Sequence, residues 1–282
     1  SRDAWIKAHL INPRRWDDGL DKPFRDLTRM PNFYMTDREA YVSTIAILGR
    51  TSQSIPAEGV RQLSAEEKIA NEGMKMINYY NCQGCHKIDG WKGDITKIYE
   101  DDLNEGPPYL VGEGHRIQSE WLHYFLGNVH KIRPWLNIRM PSYDLSNEHK
   151  NLISTGLQAK AKQKTFENNF EKVVWEPGEK EAAVALFNDY ACASCHSGGF
   201  NDDEQIAPNL YHAKKRLRGS WIKKWLKNPY DILPYTNMPA FWEDGESQNE
   251  EILDGDVDKQ INALTKYIIE IGNDKFPAPW RN

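Results

Sequence analysis

Apolar residues recur along this chain in short blocks at intervals of three and four, the spacing of a buried helix face. Tyr41, Ile45 and Leu48 form one such set behind Thr36-Asp-Arg-Glu39, a capping box that predicts a helix start. Ser64-Ala-Glu-Glu67 is a second box, and it opens a helix that leads into Cys82. A matching helix from about Gly178 leads into Cys192. Further helices are read at Trp5–Asn12, Trp121–Asn128, Trp221–Asn228, from about Ser146, and at Val257–Ile271. Strand alternation is weak throughout, so the chain is expected to be all-α. The segments 50–63 and 164–178 lack strong periodicity, contain Pro56 and Pro177, and read as linkers. The apolar runs at Val42–Leu48 and Tyr267–Ile271 fall far short of the roughly 18 residues of a membrane span, so no transmembrane segment is expected.

The pattern repeats. In Trp5–Asn12, Trp121–Asn128 and Trp221–Asn228 a tryptophan precedes an asparagine by seven positions. Met30-Pro31-Asn32-Phe33, Met140-Pro141-Ser142-Tyr143 and Met238-Pro239-Ala240-Phe241 follow, each a Met-Pro with an aromatic two residues beyond the proline. A helix comes next in every copy. These repeats divide the chain at 1–52, 60–165 and 176–276.

Composition narrows the class. The chain has 282 residues and a formal charge of −5, which disfavours nucleic-acid binding. Mean hydropathy is −0.74, little apolar material for several small cores, and a buried cofactor would supply some from outside the sequence. The chain opens on Ser1 without a visible signal peptide, as expected of a processed or trimmed chain.

The cysteines carry the chemistry. Cys82/Cys85 and Cys192/Cys195 are each followed at once by a histidine, His86 and His196. Cys-x-x-Cys-His is the attachment signature of haem c. Two thiols at that spacing reach the two vinyl groups of one haem edge, and the histidine falls beneath the iron. A zinc ribbon would need the pairs about 15–20 residues apart, whereas 107 positions separate Cys85 from Cys192. A thioredoxin-like pair leaves both histidines unexplained. Two covalently bound haem c groups are therefore expected.

The order helix, Cys-x-x-Cys-His, Pro-x-Leu, tryptophan helix, Met-Pro, closing helix resembles a class I cytochrome c domain. It occurs twice, with an N-terminal half-copy lacking the cysteine motif. The resemblance implies two tandem class I domains plus a partial N-terminal one. It implies that Pro108 and Pro208 place a carbonyl on the free N–H of the proximal histidine. It also implies Met140 and Met238 as distal iron ligands, since a thioether opposite histidine raises the reduction potential. Core packing is the plainer role for a methionine. His115, His123, His130, His149 and His212 compete as distal ligands, but only the two methionines hold matched positions. The proximal-to-distal spacing is 54 residues in the first copy and 42 in the second, the excess lying largely in a charged loop between Asp89 and Glu105. Trp121, Trp221, Tyr143 and Phe241 read as packing residues.

Met30 has the setting of a distal ligand with no cysteine motif of its own. Three accounts stay open: an upstream segment, a partner chain that supplies the haem half, or a vestigial half-domain. From Lys214 to Lys227 there are seven basic residues and no acids, either a docking patch for an acidic redox partner or, slightly favoured, a solvated helix face. The acidic run Glu243–Asp258 lacks the glycine and glutamate of a calcium loop and reads as a solvated insertion. Electron transfer without catalysis is the expected function, with other redox proteins or subunits of a respiratory complex as partners. A dihaem peroxidase or a thiosulfate-oxidising cytochrome is the enzymatic alternative, and a structural subunit a third. The class I resemblance implies a periplasmic or otherwise extracytoplasmic location, with any membrane association made through partners.

Overall fold

Two capping boxes fix the starts of two helices. In the computed structural model, Thr36 accepts from the Glu39 N–H while the Glu39 carboxylate accepts from the Thr36 N–H, and Ser64 and Glu67 do the same. Each box satisfies two donors that a helix start otherwise leaves unpaired. The structure describes residues 2–50, 60–88, 93–99, 102–133, 135–163, 173–196 and 206–271. Much of both linker segments, and residues 89–92 and 100–101 of the charged loop, lie outside that set. Helices dominate the described residues and no β-strand forms among them.

The chain divides into two units, Ser1–Gln62 and Leu63–Asn282. In the first, α1 (Arg2–Ile11) packs on α2 (Asp37–Gly49). Leu10 and Ala40 are buried there, and the rings of Trp5, His9 and Trp16 form a cluster with centroids 5.0–5.6 Å apart. The face read at Tyr41, Ile45 and Leu48 is not the buried one: Tyr41 is 58% and Ile45 52% exposed, whereas Ala40 and Thr44 are buried. Helix α1 is the main element packed on α2 in this unit.

The second unit holds two bundles. In the first, α3 (Ala65–Tyr79) crosses α6 (Asn147–Lys160), and the short α4 (Glu113–Arg116) and α5 (Ser119–Gly127) pack on α6. Ile77, Ile88, Trp121, Leu126, Ile153 and Leu157 form its core. The α3–α6 crossing is very close, since a Cβ built on Gly73 would fall 2.6 Å from the Gly156 Cα. In the second bundle, α7 (Glu179–Asp189), α8 (Ala213–Arg216) and α9 (Gly219–Lys227) surround α11 (Val257–Ile271), with α10 (Pro229–Ile232) against α9. Leu186, Ile222, Leu226, Leu264 and Ile268 are among its core residues.

The bundles meet through a reciprocal backbone pairing. An isolated antiparallel bridge joins Ile117 to Leu217. The Gln118 N–H donates to the Arg216 carbonyl and the Arg218 N–H to the Arg116 carbonyl, both at 2.9 Å. Side chains copy the exchange: Arg218 Nε donates to the Ile117 carbonyl at 3.0 Å and Gln118 Nε2 to the Leu217 carbonyl at 3.4 Å. Residues 118 and 218 each stand three before a matched tryptophan. Residue i on one side meets j on the other and j meets i, the signature of an isologous contact between copies.

This arrangement corrects two readings of charge. The basic segment is not one solvated face, because Arg218 is only 1% exposed and Arg216 lies over the Trp121 ring at 5.3 Å. Lys223, Lys224 and Lys227 do remain exposed. The acidic insertion is anchored rather than merely solvated. Gln260, fully buried on α11, accepts from Trp242 Nε1 and Ser247 Oγ and donates to the Asn249 and Ile252 carbonyls.

Candidate haem-binding sites

Both cysteine motifs adopt one backbone conformation. Helix α3 ends at Tyr79, Asn81 turns left-handed (φ 51°, ψ 39°), and Cys82–Gly84 form a 3-10 turn. Helix α7 ends at Asp189, Ala191 turns left-handed (φ 49°, ψ 35°), and Cys192–Ser194 form the same turn. Asparagine tolerates that conformation, but alanine adopts it at a cost of about 1–2 kcal/mol. Such strain persists where the surroundings over-determine the backbone. In each motif the histidine N–H donates to the first cysteine carbonyl at 2.9 Å, which places thiols and imidazole on a single turn.

The histidines are held as neutral donors. His86 Nδ1 lies 2.9 Å from the Pro108 carbonyl and His196 Nδ1 lies 2.8 Å from the Pro208 carbonyl. A carbonyl can only accept, so Nδ1 carries the proton and Nε2 keeps a lone pair. Burial pushes both imidazoles below their ordinary pKa despite those bonds. Each therefore presents a neutral Nε2, the form that ligates a metal.

The four thiols are unpaired and so available for thioether attachment. Burial raises the Cys82 thiol and pushes Cys192 up to about 11. No group of three or more His, Cys, Asp or Glu side chains that could hold a metal ion occurs among the described residues. Each Cys-x-x-Cys turn is followed at once by an imidazole, the donor set a haem c requires.

The methionine loops return to the cysteine turns. Met140 packs against the core cluster that Cys82 also touches, and Met238 against the one that Cys192 touches. An aromatic pair ties each loop back. Tyr143 meets Tyr80 edge-on at 6.1 Å, and Phe241 meets Tyr190 at 4.6 Å. Tyr80 and Tyr190 each stand two residues before the first cysteine. Burial raises the Tyr143 hydroxyl, and Cys82 and Cys85 lie near enough to add to the shift. These tyrosines carried no signal in the reading of motifs, although their matched positions were visible in the repeat. Met238 Sδ also accepts from Trp225 Nε1 at 2.8 Å.

The competing histidines have other engagements. His149 Nδ1 is 2.7 Å from the Tyr80 hydroxyl, His130 Nδ1 is 2.8 Å from the Asn128 carbonyl, and His123 Nε2 is 3.4 Å from the Asn147 carbonyl. His115 is exposed, and His212 lies near the His130 ring at 6.5 Å. Met30 is half-buried, while Phe33 beside it is 59% exposed, without the aromatic partner its counterparts have among the described residues.

Residues 181–271 match the family model described as Cytochrome c. The match runs from α7 to the end of α11 and takes in Cys192, Cys195, His196 and Met238. Over these residues the chain is similar to cytochrome c, which supports haem-based electron transfer and implies a covalently held haem c there. Searches of the curated proteins and of the solved structures returned no match. No helix among the described residues is long and apolar enough to cross a membrane.

Proposed function

We propose that the chain is a dihaem electron carrier, with haem c on Cys82/Cys85 and on Cys192/Cys195. His86 and Met140 serve as axial ligands in the first bundle, His196 and Met238 in the second. The observation that carries this reading is the repetition. In both bundles a proline carbonyl orients the histidine, and a tyrosine before the cysteines grips the aromatic after Met-Pro. The haem supplies one-electron chemistry when bound. The protein's part is to fix the tautomer, bring a thioether to the far side and bury the site. A closed ligand set leaves no position for substrate, which favours a carrier over a peroxidase or a thiosulfate-oxidising enzyme.

The test is haem stoichiometry with a ferric spectrum. Two haems per chain, both low-spin with a thioether-to-iron charge-transfer band, are expected. Met238→Ala should convert one haem to high spin and leave the other unchanged. A single haem, or a high-spin site in the wild type, would refute the reading.

We place the carrier in a respiratory redox complex, in the periplasm or another extracytoplasmic space. The first unit supports a subunit role. It carries a Met-Pro loop and a closing helix but leaves Phe33, Tyr34, Tyr41, Val42 and Ile45 exposed. A helix with its own cysteine motif, from an upstream segment or a partner chain, would cover that face as α3 and α7 do elsewhere. Where a partner chain supplies that helix, three haems per copy of this chain in the native assembly, two of them attached to it, is the expected count.

A further inference from the structure

The seam between the bundles has a second contact, in which the first bundle reaches the methionine loop of the second. It is made near the end of the charged loop that lengthens the first copy, at Asn104. The Asn104 N–H donates to the Asp102 carboxylate at 2.8 Å, and the Asn104 and Gly106 carbonyls accept from Arg133 Nη1 and Nη2 at 3.1 and 2.9 Å. With its backbone fixed in this way, Asn104 aims its amide at the second bundle. Nδ2 donates to the Tyr235 carbonyl at 2.9 Å and approaches Asn237 Oδ1 at 3.4 Å. Five residues on, the Tyr109 ring meets the Tyr235 ring edge-on at 5.1 Å. Burial pushes the Tyr235 hydroxyl up to about 12, with Tyr109 and Arg133 among the groups that act on it.

The two methionine loops are anchored differently. In the first, Leu136 is buried and its carbonyl accepts from Lys131 Nζ at 3.2 Å, so the loop is tied to its own bundle. In the second, Trp225 Nε1 reaches the Met238 sulfur and the Met238 N–H donates to Thr236 Oγ1 at 3.2 Å. Tyr235 and Asn237, which alternate with Thr236 and Met238, face Asn104 of the other bundle. A ligand is held precisely only when the residues behind it are themselves locked.

We propose that Asn104 is a positioning residue for the second haem: a loop of the first bundle clamps the backbone before Met238 and so keeps the thioether on the iron of the other bundle. This rests on the dihaem reading and deepens it. The same stretch carries Pro108, whose carbonyl orients His86. One loop of the first bundle thus serves the proximal ligand of its own haem and the distal ligand of its neighbour's. Releasing the clamp opens a coordination position at the second haem and leaves the first haem closed.

The test is an imidazole titration of the ferric dihaem protein, read by the thioether-to-iron charge-transfer band. Met140→His keeps the first haem six-coordinate but removes its thioether, so the remaining band reports the second haem alone. Met238→His does the reverse. In the Met140→His background, Asn104→Ala should lower the imidazole concentration that bleaches half of the band by about three- to tenfold, the ratio expected for one lost intramolecular hydrogen bond. Asn104→Asp, which sets an acceptor against the Tyr235 carbonyl, should do at least as much. In the Met238→His background, Asn104→Ala should leave the titration of the first haem in place, although residue 104 belongs to that haem's bundle. If a histidine background fails to take up haem, the alanine background takes its place. No shift at the second haem overturns the inference. A shift at the first haem as large as at the second also overturns it, since Asn104 would then merely support its own bundle. A wild type without two haems that both show the band overturns the dihaem reading instead.

Discussion

Gly156→Ala tests the geometry that places the first cysteine motif, and its sign is informative. Both Gly156 and Gly73 lie inside helices, where alanine is favoured over glycine by about 0.8–1.0 kcal/mol. On propensity alone the substitution would stabilise the protein. In the structure a Cβ on Gly156 would sit 2.5 Å from the Gly73 Cα, 3.1 Å from its N and 3.3 Å from the Ile69 carbonyl. Carbon atoms in contact prefer about 3.5–4.0 Å, so α3 and α6 would have to part by about 1 Å. All three obstructing atoms are backbone and cannot swing aside. Overpacking of this kind costs about 1–3 kcal/mol; set against the propensity gain, a net loss of up to about 2 kcal/mol is expected. Because α3 runs directly into the Cys82 turn, haem-linked absorbance should report the same transition as helix content. Urea unfolding of the holoprotein measures the change as a lower midpoint at constant slope. Gly73→Ala should behave alike, and the double variant should cost less than the sum, since one separation accommodates both methyls. Stabilisation of Gly156→Ala by about 1 kcal/mol would refute the close crossing. The second bundle offers a natural comparison: Ala183 stands nine residues before Cys192 as Gly73 stands nine before Cys82, and it is fully buried.

Arg218→Met should loosen the seam, because it removes the bond from Arg218 Nε to the Ile117 carbonyl while filling much of the same volume. A loss of about 1.5–3 kcal/mol, with two resolved unfolding transitions by calorimetry in place of one, is expected. An unchanged single transition would show that the bundles do not depend on this contact. Glu179→Gln should weaken the second bundle in a pH-dependent way. Burial alone would raise this carboxyl, but the Glu176 N–H, the Lys266 ammonium at 2.6 Å and the Asn262 amide outweigh it and hold it below the ordinary range. A carboxyl lowered on folding adds stability that is complete above its unfolded pKa and lost as pH falls through its folded one. The wild type should therefore exceed Glu179→Gln by about 1.5–3 kcal/mol at pH 7, with the gap closing toward pH 3 in denaturant titrations. A gap independent of pH would contradict the assignment.

The elements legible in the sequence were those built from local rules. Thr36/Glu39 and Ser64/Glu67 announce helix starts through contacts three residues apart, and the structure holds both. Val257–Ile271 carries enough apolar periodicity to define α11 end to end. What could not be read depends on which surface faces which. Arg216 and Arg218 look like the lysines beside them until the seam is assembled, because nothing local distinguishes an arginine that crosses to another bundle. Gln260 is similar: nothing local shows that a glutamine on the helix after the acidic run closes the insertion onto α11 with its amide. Glycines at 73 and 156 carry no sign that they meet, since 83 positions separate them.

The three Met-Pro loops show what a complete bundle adds to a local motif. Each loop is followed by a helix and preceded by a tryptophan helix whose ring stacks four residues on: Trp5 on His9, Trp121 on Phe125 and Trp221 on Trp225, with centroids 5.0–5.1 Å apart. That much is fixed by short-range sequence and is the same in all three. The aromatic after the proline differs. Tyr143 and Phe241 each find a tyrosine at the end of the helix that leads into the cysteines, whereas Phe33 lies 59% exposed. The half-copy thus forms its own secondary structure without covering its apolar face. Burying a phenylalanine contributes about 1.5–3 kcal/mol, and Tyr41, Val42 and Ile45 add to the apolar area that a covering helix would remove from water. A peptide comprising an amphipathic helix and a Cys-x-x-Cys-His turn, carrying haem, should therefore bind the first unit of the intact protein and restore a low-spin spectrum through Met30. Binding that Met30→Ala leaves spectrally unchanged would show that the methionine is a packing residue there.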